Sequence, residues 1–229
     1  MTTTSASACA VVTGSSRGIG AATVLRLQRE GIAVVGLDID PPAPDCAPDL
    51  HLSCDLRDPA SIEHCMSQAA AAFGGVEVLV NNAGVAGRHD AIDLAVEDWA
   101  LVMDINLRAA WLTAKHVLGG MRELNRGAII NIASIHARLS AVGISPYAAS
   151  KAGLLGLTRS LALENAKYGI RVNAVSPGYI RTRLVTEAFD AQGDAQTAEQ
   201  DVASLQPNGR IGEPHEIAEV IAFLASPAA

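Results

Sequence analysis

The chain has 229 residues, 49% of them hydrophobic, and a formal net charge of −7, a size that suits one domain with a sizeable core. The acidic balance argues against non-specific nucleic-acid binding and against a membrane-surface role, and no apolar run approaches the roughly 18 residues that a membrane helix requires. The four cysteines, Cys9, Cys46, Cys54 and Cys65, show no Cys-x-x-Cys spacing, and the six histidines are scattered. Reduced thiols and no metal site are therefore expected, in a cytoplasmic protein whose amino terminus lacks a basic signal region.

Residues Cys9 to Thr13 predict a short apolar strand. It runs into Gly14-Ser15-Ser16-Arg17-Gly18-Ile19-Gly20 and then a helical pattern from Ala21 to Glu30. Glycines at a strand-to-helix turn let the backbone approach a pyrophosphate closely, and the helix amino terminus offers free N–H groups and a positive dipole. The spacing here is Gly-x-x-x-Gly-x-Gly rather than Gly-x-Gly-x-x-Gly. A second strand, Ile32 to Asp38, ends on an acid about 20 residues beyond the glycines, where a carboxylate accepts hydrogen bonds from ribose hydroxyls and repels the extra phosphate of NADP. Asp38 thus points to NAD. Arg17 is the counter-signal, because a basic residue in the turn suits a 2′-phosphate.

Farther along, apolar strands are predicted at Val76–Val80, Ala128–Ala133 and Ile170–Val175, and helices near Ser61–Phe73, Trp99–Leu124 and Pro146–Tyr168. This alternation implies right-handed crossovers and a parallel sheet with helices on both faces. Pro41-Pro42-Ala43-Pro44 is a surface connection between the second and third strands. Tyr147 and Lys151 share one helix face, where an ammonium can favour the phenolate and bring the phenol down toward working pH. That makes Tyr147 a candidate general acid/base. Ser134, at the end of the strand Gly127 to Ala133, can hold an alcohol or carbonyl oxygen beside it. A Tyr-x-x-x-Lys pair is common on helices, and it gains meaning here from the nucleotide turn at the other end of the chain.

Taken together, Thr13-Gly-x-x-x-Gly-Ile-Gly20, Asp55-Leu56, Asn81-Asn82-Ala83-Gly84, Asn106, Ser134, Tyr147-x-x-x-Lys151 and Pro177-Gly178-Tyr179-Ile180-x-Thr182 resemble the short-chain dehydrogenase/reductase family, NAD-dependent type, over nearly the whole chain. The resemblance implies a single NAD-binding catalytic domain over residues 1–229, with a doubly wound, Rossmann-like α/β sheet ordered 3-2-1-4-5-6. It implies a catalytic tetrad of Asn106, Ser134, Tyr147 and Lys151, with Asn106 kinking its helix so that a water joins it to the lysine. For the cofactor it implies Gly14, Ser16, Arg17, Gly18, Ile19 and Gly20 at the pyrophosphate turn and Asp38 at the ribose. Asp55 and Leu56 would hold the adenine, and Asn82, Ala83 and Gly84 would line the adenosine ribose. Lys151 would grip the nicotinamide ribose beside Tyr147, and Pro177, Gly178, Ile180 and Thr182 would border the nicotinamide. Residues 182–206 would form a substrate lid. The family's segment after Pro214–Ala229 carries a further strand, so an uncovered edge beside Ile170–Val175 is expected.

The implied activity is reversible hydride transfer between NAD and a secondary alcohol or ketone, in a homodimer or homotetramer paired through the two long helices. His136, Arg138, Tyr179, Arg181 and Arg183 flank the implied cleft and suit a sugar or polyol. Two alternatives stand beside this reading: an NADPH-dependent 3-oxoacyl thioester reductase, favoured by Arg17, and a non-catalytic NAD sensor.

Overall fold

The computed structural model describes residues 9–190 and 193–229. Six strands, β1 (Cys9–Thr13), β2 (Val34–Asp38), β3 (Leu50–Ser53), β4 (Val76–Asn81), β5 (Gly127–Ile132) and β6 (Ile170–Val175), form one sheet in the order β3-β2-β1-β4-β5-β6. Every pairing is parallel. Parallel strands are covered on both faces, which is why these segments read as nearly continuous apolar runs.

Side chains alternate between the two faces along each strand. Cys9 and Val11 of β1 enter one core with Val35, Leu37, Leu79 and Ile129. Against that face pack α2 (Pro59–Phe73), α4 (Ala109–Leu124) and α5 (Ser145–Asn165), through residues such as Ile62, Met66, Val117, Met121 and Leu161. Ala10 and Val12 turn to the other core with Val34, Val78, Val80 and Ile130. There α1 (Gly18–Arg29) contributes Val24 and Leu27, and α8 (Pro214–Ala225) contributes Ile221 and Ala222. Each fully buried Leu or Ile in these layers contributes about 1.5–3 kcal/mol.

Local signals set the element ends. Asp58 caps α2 by accepting the Ala60 N–H at 2.9 Å, Pro59 occupies its first turn, and Gly74 closes it at φ 73°. The helix expected at Trp99–Leu124 begins earlier, at Val96, and is not continuous. It consists of α3 (Val96–Met103), a π turn at Asp104–Arg108, and α4. The helix expected at Pro146–Tyr168 runs from Ser145 to Asn165 and finishes in a 3-10 turn, Ala166–Tyr168. Residues 182–206 contain α6 (Arg183–Asp190) and α7 (Ala195–Ser204), joined by the small core of Phe189, Ala198 and Ile211. Residues 191 and 192 of that segment lie outside the described residues.

β6 pairs with β5 on one side, and its Arg171 donates to the carbonyls of Leu224 at 2.6 Å and Ser226 at 2.9 Å, tying the end of α8 to the edge of the sheet. Strand order reverses at β1, which lies between β2 and β4. A crevice outside the carboxyl ends of β1 and β4 is where this architecture binds its ligand.

Candidate active site

The glycine turn is fitted to the start of α1 at contact distances. Gly14 and Gly18 hold φ of 65° and 55°, where a side chain is strained, and a Cβ on Gly20 would stand 1.9 Å from the Gly14 carbonyl oxygen. A Cβ on Gly14 would stand 2.9 Å from the Ala83 Cα, so the turn and the segment after β4 touch through bare backbone. Thr13 stitches them together, its Oγ1 accepting the N–H of Asn82 at 3.0 Å and of Ala83 at 3.1 Å. Asn82 returns the contact, donating from Nδ2 to the carbonyls of Thr13 and Gly14, each at 3.0 Å. The result is a shallow, backbone-lined cradle, as a dinucleotide pyrophosphate requires.

At the end of β2 the Asp38 carboxylate accepts the Ser16 N–H and the Asp40 N–H, both at 3.0 Å. Arg17 forms an ion pair with Asp40. The basic residue that spoke for a 2′-phosphate is therefore neutralised by an acid two positions beyond Asp38. Asp55, expected at the adenine, is gripped by Arg57 through Nε and Nη2, the latter at 2.6 Å, and this holds its carboxyl below the usual carboxylate range. Leu56 beside it is buried.

The tetrad residues converge from three elements. Ser134 follows β5 in extended backbone, and its hydroxyl accepts the His136 N–H at 3.1 Å and lies near enough to the Tyr147 phenol to favour its ionised form. Lys151, one turn along α5 from Tyr147, is buried and donates from Nζ to the Ile132 carbonyl at 2.7 Å. Asn106 sits in the π turn with Oδ1 accepting the Val85 N–H at 2.8 Å and Nδ2 donating to the Val85 carbonyl at 2.9 Å. Gly84 marks where they meet, since a Cβ there would lie 3.3 Å from Asn106 Oδ1 and 3.4 Å from Lys151 Nζ. A π turn widens the helix locally, a feature frequent at functional sites.

Burial shapes the titration of these groups. It pushes the Tyr147 phenol above its ordinary 10.0, with the nearby Ser134 hydroxyl opposing and neighbouring Tyr179 adding to the rise. Complete burial pulls Lys151 down from 10.5 to about 8. The expectation that Lys151 lowers Tyr147 is thus not met by the protein alone. Its ammonium is directed to Ile132 and lies 5.8 Å from the phenol ring centroid.

The chain matches the sequence profile of the family described as Enoyl-(Acyl carrier protein) reductase over residues 14–229. It is 42% identical to a cis-4-hydroxycyclohexanecarboxylate dehydrogenase of Sinomonas cyclohexanicum, covering 96% of this chain and 90% of that protein. The chain belongs to the short-chain dehydrogenase/reductase family. Among solved members, ligand-free Thermoplasma acidophilum aldohexose dehydrogenase superposes with a TM-score of 0.91 at 32% identity, covering 96% of this chain and 87% of that one. An actinorhodin polyketide ketoreductase with NADPH superposes with a TM-score of 0.91 at 34% identity, covering 100% and 94%. The chain is an oxidoreductase of this short-chain family.

The remaining expected residues of this short-chain dehydrogenase/reductase lie on the segment after β6. The Pro177 carbonyl accepts the Ile135 N–H at 3.0 Å, and Ile180 bridges Gly212. Thr182 reaches the glycine turn, since a Cβ on Gly18 would meet its Cγ2 at 3.2 Å. A Cβ on Gly178 would stand 2.4 Å from Gln206 Oε1, which packs the strand's exit against the end of α7. Of the residues expected to flank the cleft, His136 meets Tyr147 and Tyr179 edge-on at centroid distances of 6.3 and 5.9 Å. Arg181 and Arg183 do not reach toward a substrate. Arg181 pairs with Glu199 at 2.6 Å and Glu213 at 3.1 Å, and Arg183 pairs with Glu187 at 3.1 Å.

Sequence reasoning missed a buried polar chain behind the tetrad. The Thr113 hydroxyl donates to Asn81 Oδ1 at 2.7 Å, Asn81 Nδ2 to Asn131 Oδ1 at 2.9 Å, and Asn131 Nδ2 to Thr158 Oγ1 at 2.9 Å. It fastens α4, β4, β5 and α5 together. It also missed Ser150, which accepts from Asn106 Nδ2 at 3.0 Å and donates to the Tyr147 carbonyl at 2.8 Å. An asparagine within an apolar strand is the signal that could have found the first.

Proposed function

We propose that this protein is an NAD-dependent dehydrogenase that interconverts a secondary alcohol and its ketone. The observation that carries the reading is the convergence of the Tyr147 phenol, the neighbouring Ser134 hydroxyl and the buried Lys151 one helical turn along α5. Ser134 orients the substrate oxygen, and the Tyr147 oxygen takes the hydroxyl proton during oxidation or returns it during reduction. Bound NAD would supply the hydride acceptor and, in its oxidised form, a positive ring charge that draws the phenol pKa downward. Lys151 is placed to hold the nicotinamide ribose, and Asn106, fixed to Val85 and Ser150, keeps the π turn in register with α5.

The preference for NAD rests on Asp38 and Asp40. One carboxylate faces the ribose position and the other occupies Arg17, so an NADP phosphate would meet two acids and no free base. Helices α6 and α7 act as the substrate lid. A cyclic secondary alcohol or a polyol suits the site, with His136 and Tyr179 as the aromatic wall. The long helices carry exposed Trp99, Trp111 and Leu163, which suits pairing of two copies in a cytoplasmic homodimer or homotetramer built from this single catalytic domain.

Steady-state oxidation of cyclic alcohols and polyols with NAD and with NADP tests the reading. Turnover that favours NAD in kcat/KM supports it. A preference for NADPH with 3-oxoacyl thioesters would replace it with the reductase alternative, and nucleotide binding without turnover of any alcohol would leave the sensor.

A further inference from the structure

Helix α7 is lightly rooted in the molecule. Of its ten residues only Ala198 is buried, whereas α8 enters the core through Ala218, Ile221 and Ala222. Elements with few buried contacts open at a low free-energy cost, so each remaining tie on α7 counts. Two side chains tie it to the segment after β6. Just past its end, Gln206 donates from Nε2 to the carbonyls of Tyr179 at 3.2 Å and Arg210 at 2.9 Å. Near its middle, Glu199 takes the Arg181 guanidinium in a two-pronged contact, from Nη2 to Oε1 at 2.6 Å and from Nη1 to Oε2 at 3.1 Å.

The same guanidinium holds Glu213 through Nε at 3.1 Å. Glu213 immediately precedes α8, and its N–H donates to Glu216 Oε2 at 2.7 Å. Beside it, the Gly212 carbonyl accepts the Arg181 N–H at 2.8 Å. Arg181 is thus anchored on the α8 side and reaches across to α7. The charged groups around it make no such link. Arg183 pairs with Glu187 inside α6, Arg210 with Glu216 at the start of α8, and Asp194 accepts the Thr197 hydroxyl within the first turn of α7. Among the described ion pairs, Arg181–Glu199 is the one that joins α7 to another element.

An exposed ion pair is ordinarily worth little, the exceptions being two-pronged arginine contacts and networks of charge. This joint is both. It also carries a sign, because without the guanidinium two carboxylates would face each other between α7 and the start of α8. We propose that Arg181 is a positioning residue, a cationic clasp that turns a like-charge contact between Glu199 and Glu213 into the joint holding α7 in place. Its effect on catalysis rests on the reading of α6 and α7 as a substrate lid, whereas the joint itself does not.

Hydrogen exchange of the backbone amides of residues 195–204 tests the clasp in the wild type, Arg181→Gln, Glu199→Gln, the double variant and the control Arg126→Gln, whose ion pair with Glu77 lies at the opposite end of the sheet. Exchange in Glu199→Gln should be about threefold faster than in the wild type, since only the attraction is lost. In Arg181→Gln it should be about tenfold faster, because repulsion is uncovered as well. Adding Glu199→Gln to Arg181→Gln should bring the rate back toward that of Glu199→Gln. Salt supplies a second sign. Raising KCl to about 1 M should speed exchange in the wild type and slow it in Arg181→Gln, with Arg126→Gln following the wild type throughout. Exchange in Arg181→Gln no faster than in the double variant, or salt moving the wild type and Arg181→Gln in the same direction, overturns the proposal. For an alcohol that the wild type oxidises, KM should rise in the same order as the exchange rates, with kcat changed less. Ordered exchange rates with a constant KM would refute the lid reading and support the clasp, and the exchange comparison stands whether or not any alcohol is turned over.

Discussion

Lys151 donates its ammonium to the Ile132 carbonyl at 2.7 Å from a position with no solvent contact of consequence. A buried cation with one neutral acceptor is unfavourable to folding, and the depression of its pKa from 10.5 to about 8 expresses that cost. Replacing Lys151 with Met keeps the length of the side chain and removes the charge. The variant should lose turnover yet be at least as stable as the wild type at neutral pH, by about 1–3 kcal/mol. Because the folded pKa lies below the unfolded one, the unfolded chain holds the extra proton between about 8 and 10.5. Rising pH through that window therefore favours the wild-type fold, and the stability gap to the variant should narrow. Denaturant midpoints for both proteins across the window check the sign, and a gap that widens contradicts it.

Asn131 is the centre of the buried polar chain, accepting from Asn81 and donating to Thr158. Truncating it to Ala strands a donor on Asn81, takes a donor from Thr158 and opens a small void between β5 and α5. The expected loss is about 2–3 kcal/mol, more than an exposed polar substitution costs. Urea unfolding measures it, and a loss below about 0.5 kcal/mol, the range of ordinary surface changes, would show that the chain carries no stability.

Asp38 and Asp40 are the two acids that bear on the choice of nucleotide. Asp38→Ala should weaken NAD and raise NADP relative to it. Asp40→Ala, which frees Arg17 from its ion pair, should raise NADP use without removing the ribose acceptor. In the double variant the two gains should reinforce each other. The ratio of kcat/KM for the two nucleotides reports this, and an Asp40→Ala ratio equal to the wild type would show that the Arg17 pair has no part in the choice.

Much of this was legible before the fold was seen, because it rests on local chemistry. The strand ends at Thr13 and Asp38, the glycine turn, and the helical spacing of Tyr147 and Lys151 each follow from residue type and short-range spacing. The alternation of elements implied a parallel sheet with helices on both faces, and its order, β3-β2-β1-β4-β5-β6, followed from the family resemblance. What stayed hidden depends on contacts between distant segments. The π turn at Asp104–Arg108 is sequence-helical throughout, and it is Asn106 bonding to Val85 that accompanies the altered register. Arg181 reads as a cleft cation until Glu199 and Glu213 fold against it. The direction of the Tyr147 shift was hidden for the same reason, since spacing places a lysine near a phenol but says nothing of how deeply both are buried or which acceptor takes the ammonium.

The central claim is that the Tyr147 oxygen moves the proton in an NAD-linked alcohol oxidation. The most direct measurement is NADH formation by the wild type and by Tyr147→Phe on one oxidised alcohol, with NAD binding measured in parallel by calorimetry. Phenylalanine keeps the ring between Lys151 and His136 and deletes only the oxygen that meets Ser134. Turnover should fall by about 10²-fold or more while NAD affinity stays within a few-fold of the wild type. Turnover in Tyr147→Phe close to that of the wild type would contradict the account.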